Sequence, residues 1–248
     1  MQFLGLAFFV VPCQIKQSKN NTNTPKVSGV ADSSKKTEQF SIIDTLNKYQ
    51  NTDSLFEYKS HRIYTGKIND VKIGLVQTSD TTTILYQKMV GNWTITDTIN
   101  QQLLFVLPID LNGDNYRDLV VTYNFTGSGA NSQNICLLYY PTTNQFRHNK
   151  HFDLPNIHYD RKSNLVFSVL WSGVTGPQEK MAYILTGDSL IFKEGVILQP
   201  DEATQGDSGI VEFYKIQGNK RIVSKRIKGL AEEIFEIFTK ALWDSSDE

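Results

Sequence analysis

The sequence predicts an all-β, antiparallel domain closed by one amphipathic helix, on three observations. Short strand-like runs recur with turn residues between them, at a spacing near ten residues that marks hairpin-built β structure. Aromatic residues are plentiful, with 14 Phe and 11 Tyr against three Met, and such side chains pack well on pleated surfaces. No long helical pattern interrupts the runs, which excludes βαβ units.

The first element is a short helix over Ser41 to Lys48, where Ile42, Ile43 and Leu46 recur at helical spacing. Strands are predicted at Arg62 to Gly66, Val71 to Gln77, Thr83 to Val90, Trp93 to Thr98, Leu103 to Leu107 and Leu119 to Tyr123. The series continues with Ile135 to Tyr140, Leu165 to Leu170, Lys180 to Leu185, Leu190 to Lys193 and Val211 to Ile216. Gly91-Asn92 and Gly187-Asp188 read as hairpin turns, because both residue types tolerate positive φ. From Gly229 to Trp243, Leu230, Ile234, Phe238, Ala241 and Leu242 share one face of a helix that docks on the sheet.

The segment ahead of the domain has a different character. Residues 1–12 are uncharged and apolar and end at Cys13, the pattern of a secretory segment followed by a cysteine that takes lipid. Residues 13–39 are polar and read as a flexible tether, so the folded domain is expected at residues 40–248. These features predict an exported, periplasmic or cell-surface lipoprotein. Cys136, inside Ile-Cys-Leu-Leu-Tyr-Tyr, reads as a small buried hydrophobe. A net charge of -1 supplies no basic field for phosphate, which argues against a nucleic-acid partner.

The one stretch whose chemistry is specific is Asp-Leu-Asn-Gly-Asp-Asn-Tyr-Arg-Asp, residues 110–118. Asp110, Asn112, Asp114, Tyr116 and Asp118 stand at loop positions 1, 3, 5, 7 and 9, with Tyr116 contributing its carbonyl, and this is the spacing of oxygen donors around Ca2+. An EF-hand also needs flanking helices and a Glu at position 12, where Val121 stands here, so the motif reads as strand-loop-strand.

That loop resembles the calcium loop of FG-GAP and VCBS-type propeller repeats, present in a single copy. A longer stretch, Leu103 to Glu194, holds Gly127-Ser128-Gly129-Ala130-Asn131, Leu137 to Phe146, Trp171-Ser172-Gly173 and Ala182 to Leu190. In that order these segments resemble a family of small exported bacterial proteins with one calcium loop and a propeller-like β fold. Some members are immunity proteins that inhibit peptidoglycan-cleaving effectors of secretion systems. The resemblance implies a calcium-stabilised, membrane-tethered binding protein with a protein partner, a peptidoglycan hydrolase among the candidates. Ser128, Asn131 and Trp171 are candidate interface residues, because loops at one end of a sheet carry binding groups.

Two other readings compete. The same loops fit a carbohydrate-binding or adhesion module. Gly206-Asp207-Ser208-Gly209 matches a serine-protease nucleophile tetrapeptide and sets Ser208 as a candidate nucleophile, although Ile210 replaces the usual glycine and His61 lies in Lys-Ser-His-Arg. His148, His151 and His158 cluster without an adjacent acidic ligand and read as surface histidines. The balance favours a non-enzyme.

Overall fold

The computed structural model describes residues 41–242 apart from 54, 59–61, 127–130, 173–175 and 202–206. They belong to one compact unit, Ser41–Glu248. The secretory-type segment, Cys13 and the tether lie outside the described residues, as do Ser128, His61, Gly206 and Trp243.

Three antiparallel sheets follow one another along the chain. The first has five strands in sequence order, β1 (Phe56–Tyr58), β2 (Ile63–Ile68), β3 (Val71–Ser79), β4 (Thr82–Met89) and β5 (Asn92–Ile99). The second has four, β6 (Phe105–Ile109), β7 (Asp118–Thr126), β8 (Asn131–Tyr140) and β9 (Gln145–His148). The third has six, β10 (His158–Asp160), β11 (Leu165–Trp171), β12 (Gln178–Thr186), β13 (Ser189–Pro200), β14 (Ser208–Gln217) and β15 (Lys220–Leu230). Helix α1 (Ile42–Tyr49) precedes the first sheet and α2 (Ala231–Lys240) follows the last.

Alternation along the strands stacks these sheets in a row. On β7, Leu119 and Val121 point into a core with Ile73, Leu75 and Leu85 of the first sheet, while Val120 points the other way. On β8, Leu137 and Tyr139 join that first core, whereas Cys136 and Leu138 join Val166 of the third sheet and Phe152. The middle sheet is therefore buried on both faces, which explains its near-continuous apolar strands. Each outer sheet takes a helix on its remaining face. Leu46 of α1 packs with Ile63 and Val76, seated where Gly74 leaves no Cβ to collide with it. Ile234 and Phe238 of α2 pack with Val196, Leu198 and Val211.

The all-β, antiparallel expectation and the docked C-terminal helix are observed. A closed, propeller-like ring is not: among the described residues the sheets are open, and helices at the two ends of the row cover the faces that ring closure would hide. The C-terminal helix starts at Ala231, because Gly229 and Leu230 still belong to β15, opposite Gly209 and Ser208. The β4–β5 turn also differs, since Met89 pairs with Asn92 and the turn residues are Val90 and Gly91, at φ 47 and 87. The Gly187-Asp188 turn is as predicted, closed by Thr186 opposite Ser189.

Side-chain amides join neighbouring sheets by imitating a strand. Gln87 on β4 accepts from the Phe146 amide at 2.9 Å and donates to the Phe146 carbonyl at 2.9 Å. Asn131 on β8 does the same to Trp171, at 2.7 and 2.6 Å. Burial strengthens such paired bonds, since an unmatched backbone group there costs about 1–3 kcal/mol.

Candidate functional site

Residues 110–117 form the loop between β6 and β7, with Ile109 paired to Asp118 at its base. The loop is wound by its own carboxylates and amide. Asp110 accepts from the amides of Gly113 at 2.6 Å and Asn115 at 3.1 Å. Asn112 Oδ1 accepts from the Asp114 amide at 3.2 Å, and Asp114 Oδ1 from the Tyr116 amide at 2.9 Å. These short-range turns curl the chain into a tight loop. Two residues take left-handed backbone, Gly113 at φ 75 and Asn115 at φ 69, the latter at the position where such loops usually carry glycine.

Asp118 closes the loop from below and is fully buried. Its Oδ2 accepts from the Leu111 amide at 2.9 Å and its Oδ1 from the Tyr139 amide at 2.8 Å. Burial pushes its carboxyl up to about 7 against the two amide bonds, and the charges of Asp114 and Asp110 push in the same direction.

Both neighbouring sheets brace the loop. Asn69, in the β2–β3 turn, donates to the Arg117 carbonyl at 2.7 Å and accepts from its amide at 3.0 Å. From the other side Tyr159 on β10 lies against Gly113, so closely that a Cβ there would collide with its hydroxyl. Arg161, in the turn after β10, donates to Asp110 Oδ2 at 2.9 Å. None of these three braces shows in the motif itself. Asn69 and Tyr159 carry no signal in the chain, since their role depends on which turns the stack brings alongside.

The donor set fits a hard cation in part. Five oxygen donors stand at the required positions, and the carboxylate oxygens of Asp118 each accept one amide and keep a second lone pair. In the conformation described, however, Asp110 and Asp118 aim at amides, and among the described residues no group of three or more His, Cys, Asp or Glu is gathered to hold a metal. Ion binding here requires these side chains to turn inward and the largely exposed Arg161 to give up Asp110.

The other candidate residues are dispersed. Asn131 is buried, and both ends of its amide are committed to the Trp171 main chain, so it is a clamp between sheets and not a contact residue. Burial in the sheet stack, invisible in a Ser-Gly-Ala-Asn string, is the reason. The Trp171 ring packs edge-on against Phe238 of α2 at 6.1 Å, which anchors the helix. Ser208 opens β14 and its hydroxyl donates to Asp201 at 3.3 Å. His148 Nε2 lies 2.6 Å from Asp153 Oδ2. Cys136 is buried and free, and its thiol donates to the Phe152 carbonyl at 3.0 Å.

No protein-family model matches the chain, and no curated protein matches it. Among solved structures, one described as the structure of a Xanthomonas type IV secretion system related protein is similar over 70% of this chain and 98% of its own. Sequence identity is 10% and the TM-score 0.48.

Proposed function

We propose that the protein is a non-enzymatic binding protein whose 110–118 loop takes Ca2+ as a structural clamp. The observation that carries this reading is geometric: Asp118 is fully buried beneath a loop that places four more oxygen donors at calcium spacing. A carboxylate in that position is poorly compensated by two amides, and a divalent cation supplies the missing charge. The loop is held on both sides by turns of neighbouring sheets, so an ion there stiffens the end of the stack without driving a large rearrangement.

The resemblance of residues 103–194 to the exported family supports a finer reading. The domain is carried outside the cytoplasm on a lipid at Cys13 and inhibits a cell-wall hydrolase effector. A carbohydrate-binding or adhesion module shares the same scaffold and is the alternative. Under the non-enzyme reading, Ser208→Ala leaves function intact.

The deciding experiment is calorimetric titration of the chelator-stripped protein with CaCl2, together with thermal melts in EGTA and in excess calcium. Extracellular sites bind calcium at about 0.1–1 mM, and tenfold excess over the dissociation constant stabilises by about 1.4 kcal/mol. Heat of binding in wild type, and none in Asp114→Ala, is the expected result. An unchanged melt together with no heat removes the ion.

A further inference from the structure

The β14–β15 hairpin runs past the sheet that carries it. β14 pairs with β13 only as far as Tyr214, opposite Gly195, but pairs with β15 out to Gln217, opposite Lys220. Residues 215–222 are therefore a two-stranded ribbon, turned at Gly218 with φ 60. Two strands alone are marginally stable in water and usually stay short and polar. This ribbon is short, but it carries exposed aliphatic side chains. Ile216, Ile222 and Val223 are 45, 46 and 40% exposed. Ile222 lies opposite Lys215, Ile216 opposite Arg221 and Val223 opposite Tyr214, so alternation puts Ile222 on one face and the other two on the opposite face.

Charge on this hairpin is of one sign. Between Glu212 and Glu232 the chain has no acid and carries Lys215, Lys220, Arg221, Lys225, Arg226 and Lys228, against a whole-chain net charge of -1. Three of these cations are engaged: Arg221 with Glu179, Arg226 with Glu212 and Lys228 with Asp201. Lys215 and Lys220, on the face that carries Ile222, make no ion pair among the described residues.

We propose that this ribbon docks on a negatively charged phospholipid surface, with its aliphatic side chains among the headgroups and its lysines on lipid phosphate. Cations beside exposed aliphatics are the combination that holds a protein at an anionic interface. Two protein partners fit less well. An acidic strand added along the free edge of β15 meets the same lysines but leaves the aliphatics of both faces uncovered. A second copy of this chain sets lysine against lysine. The inference is independent of the calcium reading.

The test is vesicle co-sedimentation of the full chain in EGTA, so that calcium bridging at the 110–118 loop contributes nothing. Vesicles of phosphatidylcholine alone are compared with equal parts phosphatidylcholine and phosphatidylglycerol. Wild type is expected to prefer the mixed vesicles, and Lys215→Gln with Lys220→Gln to bind them about 30-fold more weakly. Ile216→Ser with Ile222→Ser weakens binding to the mixed vesicles about tenfold or more. The N-terminal residues are common to every protein compared, and unchanged thermal midpoints show that the exposed substitutions leave the fold intact. Equal binding of wild type and the double glutamine variant overturns the proposal, as does equal binding to the two vesicle types. Dimerisation, or saturation of the lysines by a Val-Glu repeat peptide, without vesicle binding also overturns it.

Discussion

The 110–118 loop and the 215–222 ribbon are both hairpin connections rich in one sign of charge, and they dispose of it in opposite ways. The loop winds its acids on backbone amides, buries Asp118 and is braced by Asn69 on one side and Tyr159 on the other. The ribbon turns its lysines outward on two strands that no third strand supports. Charge folded inward against burial calls for a small counter-ion. Charge spread outward beside aliphatics calls for a surface.

The comparison breaks most visibly in its response to pH. The folded Asp118 carboxyl sits at about 7 against 3.8 for an ordinary aspartate. The folded form therefore holds this proton more tightly than the unfolded chain does. Its stabilising effect is complete below pH 3.8 and drains away as the pH rises through 7. Urea titrations in EGTA are expected to show a loss of roughly 4 kcal/mol across that window. Excess calcium flattens the slope, because the bound ion favours the ionised carboxylate.

Glycine substitutions sharpen the contrast next. Gly113 and Gly218 both have positive φ, at 75 and 60, but a Cβ on Gly113 collides with Tyr159 while one on Gly218 meets nothing within 4 Å. Gly113→Ala is expected to destabilise by about 3 kcal/mol, strain and steric overlap together. Gly218→Ala should stop at about 1 kcal/mol, from backbone strain alone. Equal effects by denaturant melt would mean the loop is not braced.

Smaller effects test the charges directly. Arg161→Ala removes an exposed guanidinium from Asp110 and should lower stability in EGTA by about 0.5 kcal/mol. The same change tightens calcium binding several-fold in titration, since a competing cation has gone. Lys215→Gln with Lys220→Gln should leave the urea midpoint within about 0.5 kcal/mol of wild type, in keeping with side chains that support no fold.

Much of this architecture is legible in the chain because alternation is local. Val71 to Gln77, Thr83 to Val90 and Lys180 to Leu185 show their strand character in the residues themselves, and β3 (Val71–Ser79), β4 (Thr82–Met89) and β12 (Gln178–Thr186) lie over them. β15 was hidden for a physical reason. Lys-Arg-Ile-Val-Ser-Lys-Arg-Ile-Lys buries little, so its strand conformation comes from pairing with β14 and not from its own pattern. Asn131 illustrates the same limit from the other side. In sequence it is a polar loop residue, but it is buried because Trp171 of another sheet offers its main chain.

By itself the sequence determined the antiparallel β class, the docked helix and the five oxygen donors at calcium spacing, because periodicity and loop spacing act over a few residues. Tertiary structure alone decided that the sheets stack in an open row capped by helices. It also decided that Asp118 is buried between Leu111 and Tyr139, and that one charged hairpin is braced while the other projects. Those outcomes depend on contacts between segments distant in the chain, such as Asn69 with Arg117 and Tyr159 with Gly113, and no local pattern encodes such contacts.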